Sequence, residues 1–135
     1  MIYNHLGKSG LKVSELCLGT MLFGKETNAK DSQTIIASAT DNGVNFIDTA
    51  DAYVAGESEK LIGRLIKANR NKWVLATKLA NKMNTVPHSG GLSRKWVVDA
   101  CDNSLRRLGT DYIDIYYLHK EDHVTPLDET IRAIG

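Results

Sequence analysis

Short apolar runs alternate along this chain with polar loops and with amphipathic stretches of helical spacing. The segment before Gly19 stands apart. Tyr3 to Leu6 and Lys12 to Leu16 flank Gly7-Lys8-Ser9-Gly10, a run with turn chemistry, and a β-hairpin is predicted there. Leu16-Cys17-Leu18-Gly19 follows as a first core strand. Asp31 to Asn42 sets Ile35, Ile36 and Ala39 at helical spacing, and Gly43 is a C-terminal stop. Val44 to Ala50 reads as a second strand. Glu57 to Ala68 reads as a second helix, with Leu61, Ile62, Leu65 and Ile66 on one face. Lys72 to Leu79 is a third strand. Ser93 caps a third helix whose stripe is Trp96, Val97, Ala100, Cys101, Leu105 and Leu108, ended by Gly109. Tyr112 to His119 is a fourth strand. Thr125 as cap and Pro126 at the first helical position open a fourth helix.

The order is therefore a hairpin followed by four strand–helix units. Alternation of this kind implies an α/β fold with a parallel sheet, because parallel neighbours need helical crossovers. Right-handed crossovers leave an open doubly wound sheet or a barrel. The first strand–helix turn lacks Gly-x-Gly-x-x-Gly, which weakens the dinucleotide-fold alternative. The expectation is a (β/α)8 TIM-barrel type, of which residues 1–135 form one domain holding about the first four units. A complete barrel takes about 250 residues. The chain is accordingly read as an N-terminal half, truncated inside its last helix. Such a half exposes a sheet edge and a wide apolar face, so instability or self-association through that edge is expected.

Composition and charge change this picture little. The chain is 42% hydrophobic and 24% charged, as soluble globular domains are. A net charge of +1 with signs interspersed gives no field that would attract nucleic acid or an anionic membrane, and neither is expected as a partner. Arg106-Arg107, the densest basic spot, is read as a solvated helix face. No apolar run approaches the roughly 20 residues that span a bilayer, and the N-terminus has no secretory pattern. A cytoplasmic location is expected, with Cys17 and Cys101 as buried free thiols.

The candidate chemistry lies at strand ends. Asp48, Lys78 and His119 close the second, third and fourth strands. Strand side chains alternate, so steps of two run from Asp48 to Phe46 and Val44, from Lys78 to Ala76 and Val74, and from His119 to Tyr117, Ile115 and Ile113. Each ionisable residue caps an apolar stack of its own parity. A packed barrel interior with a polar mouth at its C-terminal end has this pattern, and barrel enzymes place catalysis there. Tyr53, five residues past Asp48, can fold back over that mouth. A free phenol titrates near pH 10, and a neighbouring ammonium favours its ionised form. Lys78 can be that cation, with Asp48 holding it by a charge-assisted hydrogen bond. His119 can orient a substrate oxygen or pass a proton. The set offers a proton to an oxygen but no metal site and no good nucleophile, which suits carbonyl reduction by a cofactor hydride.

At these residues the chain resembles the aldo-keto reductases. Asp48-Thr49-Ala50-Asp51-Ala52-Tyr53 looks like their Asp-Thr-Ala-x-x-Tyr signature, continued by Gly56-Glu57-Ser58-Glu59 and Ile62-Gly63. Leu18-Gly19-Thr20-Met21 with Phe23-Gly24, Ala76-Thr77-Lys78, Ser104-Leu105-Arg106-Arg107-Leu108, and Tyr112 through His119 resemble further parts of that family in the same order. The resemblance implies an NADPH-dependent (or NADH-dependent) reductase of aldehydes or ketones. It maps the general acid to Tyr53, the supporting carboxylate and ammonium to Asp48 and Lys78, and the active-site histidine to His119. It places Gly19, Thr20, Met21 and Asp48 at the nicotinamide end of the cofactor, and the groups that grip the rest of the cofactor beyond residue 135. Val54 stands where a glycine commonly follows the tyrosine, so a different bend is expected there. His123 stands where proline is common. Phe23 is either a pocket wall or an ordinary loop aromatic, and His88 lies in a Gly-rich loop that could line a pocket.

Two other readings stay open. Lys78 as a Schiff-base nucleophile would make an aldolase, although a nucleophilic lysine must be neutral and Asp48 opposes that. A non-catalytic or regulatory module that kept the family's residues is the other.

Overall fold

Gly7, with a positive φ of 57°, lets the chain reverse between β1 (Tyr3–His5) and β2 (Lys12–Ser14), which pair antiparallel as expected. The computed structural model describes residues 1–135, and four strand–helix units follow the hairpin. They are β3 (Cys17–Gly19) with α1 (Ala29–Asp41), β4 (Phe46–Asp48) with α2 (Glu57–Ile66), β5 (Val74–Leu79) with α3 (Arg94–Leu108), and β6 (Ile115–Leu118) with α4 (Leu127–Ile134).

β3 to β6 lie side by side in chain order, all parallel. The architecture is thus an α/β parallel sheet of four strands with helical crossovers. Its edges, β3 and β6, do not meet.

The helix signals act through local chemistry. Asn28 accepts from the Asp31 N–H at 3.0 Å and starts α1 two residues earlier than the pattern suggested. Ser93 accepts from the Trp96 N–H at 3.3 Å and starts α3 where expected, and Gly109 ends it at φ 63°. Two expectations fail in detail. Thr125 does not cap α4: its hydroxyl donates to Asp122 at 2.7 Å, and Pro126 takes the cap position. Ile35 is 38% exposed while Ile36 is buried, because the sheet covers a narrower stripe of α1 than the spacing implied.

The core sits between the sheet and its helices. Ile47, Leu75 and Leu79 are fully buried on the helix side, beneath Leu61, Ile62, Ile66, Trp96 and Leu108. Gly63 lets α2 cross the end of α3 closely: a Cβ there would lie 2.1 Å from the Leu108 carbonyl oxygen. Cys17 is exposed and Cys101 half-buried, so the expected burial of both thiols does not hold. Cys17 has the parity of Phe46 and Asp48, on the face that the helices do not cover.

Candidate active site

The register explains how residues far apart in sequence meet. Gly19, Asp48, Ala76 and Ile115 form one row across the sheet, and Lys78 and Tyr117 form the next row toward the strand ends. Lys78 therefore stands one step beyond Asp48 on the same face. Its side chain reaches back, and Nζ donates to Asp48 Oδ2 at 2.6 Å, to the Thr49 carbonyl at 2.8 Å and to the Tyr53 hydroxyl at 3.0 Å. All three ammonium hydrogens are used. Nζ also stands 4.6 Å from the centre of the Tyr53 ring. Burial disfavours this charge, but the hydrogen bonds with Asp48 and Tyr53 outweigh it, and the Lys78 pKa moves up. A lysine so held stays protonated, which removes the nucleophile that a Schiff-base aldolase needs.

His119 follows β6 directly and is fixed by its N–H donating to the Leu79 carbonyl at 2.9 Å. Its ring meets Tyr53 edge-on, with centroids 5.9 Å apart. Burial first, and the Lys78 charge second, lower the His119 pKa, so the imidazole is neutral at pH 7. Asn81 Nδ2 lies 3.0 Å from His119 Nδ1. An amide N–H can only donate, so with this amide orientation Nδ1 accepts and the ring proton sits on Nε2, free to donate. The four candidate residues thus come together as one group. Asn81 went unread in the sequence; its one signal was a polar residue just past the lysine strand, at the same mouth.

The end of β4 is anchored by buried hydroxyls. Thr20 Oγ1 donates to the Asp48 carbonyl at 2.8 Å. Ser58 Oγ donates to the Thr20 carbonyl at 2.9 Å and lies 3.1 Å from Thr49 Oγ1. These contacts tie the ends of β3 and β4 to the first turn of α2. Gly19, Thr20, Met21, Asp48 and Tyr53 border a single cleft of about 240 Å³, together with Leu22, Phe23 and Thr27. Phe23 is only 4% exposed and packs mainly in the core.

Tyr53 opens a tight turn that runs to Gly56. The path is left-handed at two L-residues, Val54 at φ 50° and Ala55 at φ 52°, before Gly56 at φ 92°. Such a conformation costs roughly 1–2 kcal/mol per non-glycine residue, so its surroundings must enforce it.

Arg106 and Arg107 diverge. Arg106 is exposed, as a solvated face requires. Arg107 turns inward instead, and Nε donates to Glu59 Oε2 at 2.6 Å, with Glu59 fully buried. Glu59 Oε1 accepts from Thr77 Oγ1 at 2.6 Å. Nearby, Asp51 is 1% exposed and neither carboxylate oxygen has a partner. Burial and the adjacent Glu59 charge push its pKa up to about 7. Asp51 has the parity of Ile47 and Thr49, both wholly buried, which was its only sequence signal.

The remaining histidines lie outside this group. His5 is exposed on the hairpin, and His123 is exposed 3.4 Å from Glu121. His88 is exposed on a separate cleft of about 470 Å³ between the loops after β5 and β6. No helix is long and apolar enough to cross a membrane.

Comparison with known proteins follows this geometry. Residues 15–135 match the sequence profile of the Aldo/keto reductase family. The chain is 41% identical over its whole length to an Arabidopsis thaliana protein described as a probable voltage-gated potassium channel subunit beta. It is 38% identical, again over its whole length, to an Oryza sativa subsp. japonica protein with the same description. The chain spans 42% of the length of each.

Proposed function

The chain belongs to the aldo/keto reductase family, and from that premise we propose that it serves an NADPH-dependent reductase of aldehydes or ketones, with Tyr53 as general acid. One observation carries the reading: a single ammonium, Lys78 Nζ, joins the Asp48 carboxylate to the Tyr53 hydroxyl. In this reading the four-stranded sheet is half of a (β/α)8 barrel.

The chain's own groups divide the work. Tyr53 delivers its proton to the carbonyl oxygen of the substrate. As negative charge grows on the phenolic oxygen, the Lys78 ammonium 3.0 Å away is already aimed at it, so little reorganisation is needed. Asp48 keeps that ammonium charged and in place. His119, neutral and with its proton on Nε2, orients the substrate oxygen by donating to it. The cleft of about 240 Å³ beside Tyr53 fits the nicotinamide end of the cofactor, and Gly19, Thr20, Met21 and Asp48 would hold it there. When bound, the nicotinamide supplies the hydride.

A second reading is favoured by the descriptions of the two plant relatives: a regulatory subunit of a potassium channel that keeps the family's residues without relying on turnover. Aldehyde-dependent NADPH consumption, measured with Tyr53→Phe as the control, separates the two. Loss of a proton donor lowers kcat by about 10²–10⁴-fold, and NADPH binding is expected to survive the substitution. Turnover that is indifferent to Tyr53→Phe overturns the general-acid reading. NADPH binding with no turnover of any carbonyl supports the second.

A further inference from the structure

The turn that presents Tyr53 has three successive left-handed residues, Val54, Ala55 and Gly56. Its backbone hydrogen bonds close it locally: the Tyr53 N–H donates to the Ala50 carbonyl at 3.2 Å, the Ala55 N–H to the Ala52 carbonyl at 3.2 Å, and the Glu57 N–H to the carbonyls of Tyr53 and Val54. These bonds shape the turn but do not fix where it sits against β5 and α3. A side chain behind it does.

Arg107 lies against the back of the turn. A Cβ on Gly56 would stand 2.7 Å from Arg107 Cδ and 3.1 Å from Nε, so only a glycine lets the guanidinium shaft lie this close to the backbone. The shaft is itself fixed at both ends of its fork. Nε donates to Glu59 at 2.6 Å and Nη2 to Ser104 Oγ at 3.2 Å. Glu59 in turn is held by Thr77, the residue that precedes Lys78 in β5. The path is continuous: Lys78 and Thr77 share a strand, Thr77 holds Glu59, Glu59 holds Arg107, and Arg107 backs Gly56 three residues from Tyr53. A second tie runs along the near side, where the Asp51 N–H donates to the Lys78 carbonyl at 3.1 Å.

We propose that Arg107, oriented by the buried Glu59, is a positioning residue that holds the strained turn so that the Tyr53 hydroxyl stays within reach of Lys78 and His119. The importance of that placement rests on the reading of Tyr53 as the proton donor. Arg107 touches no reacting atom. Its guanidinium plane and two-pronged anchoring set where the turn sits, which a flexible ammonium cannot reproduce.

The test is NMR on the 135-residue chain with uniform nitrogen and carbon labelling. In Arg107→Lys the charge remains beside Glu59, so no buried carboxylate is left unpaired. The Tyr53–His119 ring NOE is expected to fall at least threefold. The Ala55 amide is expected to exchange at least tenfold faster, while the amides of β5 keep their protection. An Arg107→Lys chain that folds and retains both wild-type signals overturns the proposal. If that variant does not fold, Ser104→Ala removes one prong only. A change of about twofold in the same direction then supports the proposal, and no change overturns it. Neither readout involves a cofactor or a carbonyl. A loosened turn together with turnover indifferent to Tyr53→Phe would therefore leave the role of Arg107 standing while the general-acid reading falls.

Discussion

The two faces of the four-stranded sheet are built from the same strands and obey different rules. Toward the helices, Ile47, Leu75, Thr77 and Leu79 are all wholly buried. Toward the other side, Cys17 is exposed, Tyr117 is 39% exposed, and Phe46 and Ile115 are half-buried. The covered side excludes water, so a carboxylate there is either paired, as Glu59 is by Arg107, or driven toward its neutral form, as Asp51 is. The open face keeps Asp48, Lys78 and His119 partly solvated at the strand ends, where ions are cheap to hold. What separates buried from partly solvated polarity here is the face, and one residue along a strand decides it.

The largest test of this contrast is Gly63→Ala, on the covered side. Helix propensity alone favours alanine by about 1 kcal/mol. Contact with the Leu108 carbonyl is instead expected to cost about 3 kcal/mol, because backbone cannot move aside as a side chain can. Urea denaturation shows which wins, and a raised midpoint would break the account of α2 against α3.

Asp51 comes next. Its folded pKa of about 7 lies above the ordinary value near 3.8, so the native state binds more protons than the unfolded chain between those limits. Its contribution is fully present below pH 3.8, declines as pH rises, and is lost above pH 7. Asp51→Asn cannot ionise. The stability difference between variant and wild type is expected to grow in the variant's favour from pH 4 to 7 and then level, by on the order of 2 kcal/mol. A difference that stays flat across that range would mean that Asp51 is solvated after all.

The smallest expected effect concerns the open face. β3 and β6 are both free parallel edges, and we propose that two copies of this chain pair weakly through them, with the half-buried face between. Sedimentation over a concentration series is expected to show a reversible dimer. A monodisperse monomer at every concentration would sink the idea, and would mean that the partly exposed residues of this face are stable in water.

Much of the site was legible before the fold. Asp48, Lys78 and His119 share a parity that period-two counting reveals, and Tyr53 follows in a signature. The structure joins all four through Lys78 Nζ and the Tyr53 ring. Arg107 was not legible. In sequence it is half of a basic pair, and whether it faces solvent or Glu59 depends on α2 lying beside α3. Asn81 escaped because a loop residue has no period from which to read its direction, and Asp51 because it lies past the end of β4, where the parity of Ile47 and Thr49 does not by itself tell a buried turn from a solvated one.

The order of elements, the parallel sheet and the alignment of three ionisable side chains were therefore determined by the sequence alone, because backbone periodicity and local caps act within one segment at a time. The placing of Arg107 behind the Tyr53 turn, the burial of Asp51, the exposure of Cys17 and the contact of His119 with Asn81 were decided only by the tertiary structure. Each depends on which neighbour removes water from a group or supplies its hydrogen bond, and those neighbours come from elements distant in the chain.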